Sequence, residues 1–209
     1  MSSKKDNDSN DDDIKVILVG ESGTGKTSLI NCAQGKHFFE GAQMSSMICS
    51  FVKINMEILN NKYILNLWDT IGQEKFRSLT KIFLNDSKIV IFVYDITKEN
   101  TFKELSFWFD LVEKELGPDP IKGIAANKQD LIEEQKISDN TLEEYAKQKN
   151  VDFSYTTATN IDGFKNLLEK LLLKYLEKIG KLNKNSKRIK GKKLKKEKDD
   201  KHKSKSKKC

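Results

Sequence analysis

No stretch of about 18 uncharged apolar residues occurs in the 209-residue chain, so the sequence offers no membrane-spanning helix. The amino terminus, with Lys4, Lys5 and Asp11 to Asp13, lacks the apolar core of a secretory signal. Cysteine is scarce. Cys32, Cys49 and Cys209 are an odd number set far apart, which excludes a disulfide framework and the close pairing of a zinc site. Internal repeats are absent as well. These absences predict a cytosolic or peripherally attached protein in a reducing compartment. The length fits one ordinary domain with room for tails, large enough for its core to support an enclosed ligand site.

What is present is unevenly charged. The net charge of +7 conceals +12 on residues 181–209, where 15 Lys or Arg face Glu197, Asp199 and Asp200. Residues 1–13 carry −3, and the middle of the chain sits near −2. The basic character therefore belongs to the tail. The first 13 residues are almost all polar or charged and cannot offset the entropy of ordering, so they predict a disordered arm. Residues 14–180 read as one domain, and 181–209 as a Lys-rich, low-complexity, flexible arm.

Within the middle segment, the short apolar runs Ile14–Val19, Ile89–Tyr94 and Ile121–Ala126 read as strands buried on both faces. Phe51–Leu59 and Tyr63–Trp68 flank Asn60-Asn61, which predicts a hairpin placing one antiparallel strand at the edge of a parallel sheet. Helical periods cover Lys26–Gln34, Thr101–Leu116 with Phe102, Leu105, Phe109 and Val112 on one face, Asp139–Lys149, and Asp162–Gly180. The last has Phe164, Leu167, Leu168, Leu171, Tyr175 and Ile179 on its apolar face. Asn100, Ser138 and Asp162 stand where N-caps belong. The alternation predicts a doubly wound α/β sheet of about six strands with flanking helices.

Three motifs carry chemistry. The first is Gly20-Glu21-Ser22-Gly23-Thr24-Gly25-Lys26-Thr27, the G-x-x-x-x-G-K-[ST] pattern of a phosphate loop, lying between a buried strand and a helix as that pattern requires. Its glycines let successive N–H groups and the helix N-terminus face an anion. Lys26 would neutralise the β and γ phosphates, and the Thr27 hydroxyl would ligate Mg²⁺. Ser22, Thr24 and Ser28 complete the loop. A glycine-rich turn without ligand is the plain alternative, but it leaves a lysine followed by a hydroxyl with no purpose.

The second motif is Asn127-Lys128-Gln129-Asp130, at the end of a strand, on the edge where open α/β sheets bind ligands. A carboxylate at Asp130 accepts from the N1–H and 2-amino groups of guanine, a donor pair that adenine lacks. The Lys128 stem is suited to the purine face, and Asn127 to tying this loop to the phosphate loop. In isolation the motif leaves a plain polar turn as the lesser alternative; after a phosphate loop it selects GTP or GDP. The third is Trp68-Asp69-Thr70-Ile71-Gly72-Gln73-Glu74. Asp69 is placed to reach Mg²⁺ through water, Gly72 to donate its N–H to the γ-phosphate, and Gln73 to orient the attacking water.

With W-D-T-x-G-Q-E-x-F-R, G-E-S-G-T-G-K-T, N-K-x-D-L and the terminal cysteine in view, residues 14 to about 180 resemble the Rab branch of the Ras-like small GTPases. That resemblance implies a P-loop NTPase fold and a guanine-edge role for Phe39, which the residues alone read equally as a buried anchor. It implies that Ser46 ligates Mg²⁺ and senses the γ-phosphate, and that Thr157, Ala158 and Thr159 stand in the base site, with the Ala158 N–H facing guanine O6. It also implies an exchange factor, a GTPase-activating protein and effectors that direct vesicle traffic. No arginine is placed as a cis finger, so fast hydrolysis would draw one from a partner. Glu74 and Arg77 read as solvated.

The chain departs from the family at four places. A serine, Ser46, stands for the usual threonine and Ile48 for a glycine; Ile71 stands for an alanine, where its bulk would slow hydrolysis or exchange. Thr157-Ala158-Thr159 loses the lysine of S-A-K, which predicts a modest loss of base affinity. The run Ile82-Phe83-Leu84-Asn85-Asp86-Ser87 is divergent and predicts altered partner choice.

The tail has three readings. Near an anionic bilayer each lysine contributes on the order of 1 kcal/mol, and a lipid on Cys209, implied by the resemblance, would supply the second anchoring signal. There is no C-a-a-X box and no cysteine pair. Nucleic-acid contact is the weaker reading, since interleaved aromatics and a binding fold are missing; a solubilising arm is the third. The expectation is a GTP-hydrolysing switch on the cytosolic face of an endomembrane, with a hydrolytically slow nucleotide-gated scaffold and a nucleic-acid-associated GTPase as rivals.

Overall fold

The computed structural model describes residues 13–36, 51–70 and 82–182. Phe39, Ser46, Ile48, Ile71, Gly72, Gln73 and Cys209 lie outside the described residues. The chain divides into two compact units, Met1–Leu172 and Leu173–Cys209. In order, the elements are β1 (Asp13–Val19), α1 (Lys26–Ala33), β2 (Phe51–Ile58), β3 (Asn61–Trp68), β4 (Ile89–Asp95), α2 (Glu99–Lys103), α3 (Leu105–Leu116) and β5 (Ile121–Asn127). A 3-10 segment over Gln129–Glu134, α4 (Asp139–Lys149), β6 (Asp152–Thr156) and α5 (Asp162–Lys178) follow.

The strands form one sheet in the order β2-β3-β1-β4-β5-β6. Four of the five pairings are parallel and only β2 runs antiparallel, at the edge beside β3. Position dictates sequence. Every residue of β4 is buried, and it is a continuous apolar run, Ile89-Val90-Ile91-Phe92-Val93-Tyr94, closed by Asp95. Edge strand β2 instead alternates, with Phe51, Lys53, Asn55 and Glu57 exposed. This is the expected α/β sheet with its one antiparallel edge strand.

Helices α3 and α4 pack Leu105, Trp108, Phe109, Val112, Leu142 and Ala146 into a core with Ile17, Val90, Phe92, Tyr94 and Ile124. Phe92 and Phe109 stack at its centre, 3.7 Å between ring centroids. Each such fully buried side chain contributes about 1.5–3 kcal/mol against exposure. The register sets Asp95 beside Asn127 and Asn127 beside Thr156, so three polar residues stand in a row at the carboxyl edge of an otherwise apolar sheet.

Several local expectations shift. The hairpin turns on Leu59-Asn60 rather than Asn60-Asn61, because those two residues both take the left-handed conformation of a type I′ turn, φ 51° and 65°. The helix expected over 101–116 begins at Glu99 and is interrupted at Glu104, giving α2 and α3. Its N-cap is Lys98, in extended conformation, not Asn100, which lies inside the first turn. Ser138 caps α4 as expected, accepting from the Thr141 N–H at 3.2 Å. Asp162 is the first residue of α5 rather than its cap; Asn160 Oδ1 accepts the Asp162 N–H at 2.8 Å.

In the second unit, α5 stops at Lys178. The Lys181 N–H bonds the Leu176 carbonyl and the Gly180 N–H bonds that of Glu177, a Schellman closure that leaves Ile179 exposed instead of on the apolar face.

Candidate functional site

The loop from Gly20 to Gly25 leaves β1 at the sheet's carboxyl edge and enters α1. Two of its glycines are irreplaceable on steric grounds. A Cβ on Gly20 would lie 2.1 Å from the Val93 carbonyl oxygen, and one on Gly25 would lie 2.3 Å from Asn127 Nδ2; both have positive φ, 146° and 93°. Ser22 and Gly23 are exposed at the tip, and Ser28 is half-buried in α1. No acidic residue occupies the first turn of α1, so the positive end of its dipole is open to an anion.

Lys26 is buried and donates to the carbonyls of Gly20 and Glu21, each at 2.9 Å. Burial pushes its ammonium down to about 8, against the pull of the Asp69 and Glu21 carboxylates. A polyanion in the loop would restore that proton affinity. Thr27 Oγ1 donates to Asp69 Oδ2 at 2.7 Å, joining the start of α1 to the end of β3. A hydroxyl and a carboxylate side by side are the hard oxygen donors that suit Mg²⁺. Thr70, next along, donates from Oγ1 to the Leu18 carbonyl at 2.6 Å and pins the strand end.

Asn127 joins the two loops. Its Nδ2 donates to the Thr24 carbonyl at 2.7 Å and its Oδ1 accepts from Thr156 Oγ1 at 3.0 Å. Asn127, Thr24 and Thr156 are all at most 1% exposed, so this bridge is fully desolvated and costly to break. Lys128 has φ 70°, and its ammonium lies 2.6 Å from Asp95 Oδ2. The same wholly buried Asp95 accepts from the Thr97 N–H and hydroxyl through Oδ1. Asp130, exposed, accepts from Thr157 Oγ1. The Thr157 hydroxyl in turn lies 2.9 Å from that of Thr159 and accepts from the Thr159 N–H at 3.1 Å. Ala158 stands half-buried between them.

A protein-family model for the Ras family matches residues 15–177. The chain belongs to the Ras family. It is accordingly a small GTP-binding switch with GTPase activity, a family that binds GTP or GDP and Mg²⁺.

This Ras-family chain also holds partners that the motifs did not name. Asp95 fixes Lys128, Thr156 fixes Asn127, and Trp108 Nε1 donates to Glu21 Oε1 at 3.2 Å, tying the phosphate loop to α3. The signal for the first was legible: an aspartate ending a wholly apolar run at a ligand-bearing sheet edge is rarely idle. Nothing in the sequence pointed to Thr156 or Trp108, whose partners lie 29 and 87 residues away.

Proposed function

We propose that this chain is a Rab-type switch whose GTP-bound form recruits effectors of vesicle traffic at the cytosolic face of an endomembrane. The observation that carries the nucleotide-switch part of this reading is the spatial grouping at one sheet edge: Lys26 and the Thr27–Asp69 pair at one end, Asp130 with Thr157 at the other, and Asn127 bridging them; the Rab type and the vesicle role rest on the family resemblance.

The residues then divide by task. The backbone from Gly20 through Ser28, including Ser22, Gly23, Thr24 and Gly25, wraps the phosphates, and Lys26 balances their charge. Thr27, Asp69 and Ser46 would hold Mg²⁺, which supplies charge neutralisation on the β and γ phosphates when bound. Asp130 reads the guanine edge, Lys128, steadied by Asp95, lies along the purine face, and Phe39, Thr157, Ala158 and Thr159 complete the base pocket. Gln73 orients the water whose oxygen bonds to the γ-phosphorus as the bond to the bridging oxygen breaks, leaving GDP and phosphate. Ser46 and the Gly72 N–H sense the γ-phosphate, so the loops that carry them are held only in the GTP state.

An aromatic cluster with one exposed member supports the effector reading; its other two rings are half-buried. Phe51, 51% exposed, stacks on Trp68 at 5.1 Å, and Trp68 tilts against Phe83 at 6.4 Å. Phe51 follows segment 37–50 in the chain, and Ile82 and Phe83 follow 71–81, the two segments expected to respond to the γ-phosphate. Beside Phe83, Ile82 is 65% exposed, and this divergent apolar surface suits a partner of its own. Intrinsic hydrolysis is slow and accelerated by an activating partner. The lysine-rich tail and a lipid on Cys209 hold the switch at an anionic membrane; no described helix is long and apolar enough to cross one.

Single-turnover GTP hydrolysis at saturating Mg²⁺ tests the switch. A measurable rate that Gln73→Leu abolishes is expected, and an unchanged rate overturns the role of Gln73. Ile71→Ala is expected to accelerate turnover. Salt-sensitive binding to anionic vesicles that requires lipidated Cys209 is expected; retention on nucleic acid through the tail alone would overturn the membrane reading.

A further inference from the structure

The base corner replaces a charged side chain by a short chain of hydroxyls. Asp130 is acceptor-only while ionised, so the one proton of the Thr157 hydroxyl is committed to Asp130 Oδ1. The Thr157 oxygen is then left only with acceptor capacity. The Thr159 hydroxyl, 2.9 Å away, must donate into it, alongside the Thr159 N–H at 3.1 Å. The direction of both hydroxyls is thereby fixed: Thr159 to Thr157 to Asp130. Polarised chains of this kind strengthen their terminal bond.

On that basis we infer that Thr159 is a specificity-determining positioning residue, acting on guanine through Thr157 and the Asp130 carboxylate. The inference rests on the reading of Asp130 as the guanine reader. A carboxylate free to rotate presents its two oxygens to a donor pair only part of the time. Held at Oδ1, Asp130 keeps its plane fixed, and Oδ2 together with the second lone pair of Oδ1 remains for N1–H and the 2-amino group. Thr159 thus restores through orientation part of what the missing lysine would have supplied by contact. The corner is exposed, where a lone hydrogen bond contributes little, so its effect is selective rather than structural: it grows only when the base covers it.

The substitution Thr159→Val removes the hydroxyl donor and keeps the shape and the N–H bond to Thr157. GDP, IDP and ADP affinities of the full-length protein are measured with Mg²⁺ present. IDP keeps N1–H but lacks the 2-amino group, so it depends less on the orientation of the carboxylate. Thr159→Val is expected to weaken GDP binding by about threefold to tenfold, the worth of one hydrogen bond, and IDP binding by less, lowering the GDP-to-IDP ratio. Thr159→Ser should restore the wild-type ratio, and Thr159→Val added to Thr157→Val should cost almost nothing further. Equal losses for GDP and IDP, failed rescue by serine, or additive losses in the double variant would overturn the relay while leaving Asp130 as the reader. A wild type with no preference for GDP over ADP would overturn the reading of the site itself.

Discussion

At the phosphate end of the site, Thr24, Lys26, Asp69 and Asn127 are no more than 5% exposed, and bonds from Lys26 to the Gly20 carbonyl, from Thr27 to Asp69 and from Asn127 to the Thr24 carbonyl tie separate segments together. At the base end, Asp130 and Thr159 are exposed, and their bonds run among loop side chains. One nucleotide would thus be gripped by a preformed, dry cradle and read by a wet corner whose side chains hold one another. The difference follows from what each end must do. Phosphate is the same in every nucleotide, so rigidity costs no selectivity there, whereas discrimination between bases depends on a few directed bonds whose loss does not unfold the protein.

The comparison is broken most severely at Gly20. A methyl there would overlap the Val93 carbonyl oxygen, which belongs to central strand β4 and has no room to withdraw. Gly20→Ala is expected to lower stability by about 3 kcal/mol or more, read as a large fall in melting temperature or loss of soluble protein. A protein that melts within a few degrees of wild type would mean that the loop relocates at little cost.

Next in size is the bridge between the two ends. Asn127→Ala leaves the Thr24 carbonyl and the Thr156 hydroxyl buried without their partner, at a cost of about 1–3 kcal/mol in chemical denaturation. Asp130→Ala sharpens the contrast, because its carboxylate is exposed. Stability should change by no more than about 0.5 kcal/mol, while GDP affinity falls by about tenfold to a hundredfold as a charge-assisted pair of bonds is lost. Asn127→Ala that leaves stability unchanged, or Asp130→Ala that collapses it, would erase the distinction between the two ends.

Much of this architecture was legible because its causes are local. Continuous apolar runs marked β1, β4 and β5 as central, and the phosphate loop declared itself by glycines whose absence of a side chain is a contact requirement rather than a propensity. Asn127 was readable as a tie between loops because an amide has a donor and an acceptor to place. Boundaries slipped where backbone geometry overrode residue preference: Leu59 rather than Asn61 took the left-handed turn position, and Lys98, a poor cap, preceded α2 although Asn100 stood two residues on. Long-range partners left no trace in the sequence pattern. That Trp108 would reach Glu21, or Thr156 support Asn127, depends on which strands become neighbours and in which register, and register emerges only when the whole sheet is assembled.

The smallest effect tests how dry the cradle is. Burial holds the folded-state value of Lys26 near 8, below the 10.5 of an unfolded chain. Between those values the unfolded chain binds more protons than the folded one, so the Lys26 contribution makes the nucleotide-free protein gain stability as pH rises through this window. Lys26→Met should flatten that part of the profile. Phosphates arriving in the loop reverse the balance by favouring the charged ammonium, so GDP binding at pH 8 should draw in about half a proton, the fraction missing from a group at its midpoint. Calorimetric titration in buffers of different ionisation enthalpy measures that uptake directly. At pH 8 the phosphates of GDP are already fully ionised, which leaves Lys26 as the acceptor. An enthalpy independent of buffer would mean that the ammonium is already charged in the free protein, and hence that water reaches it between Gly20 and Asp69.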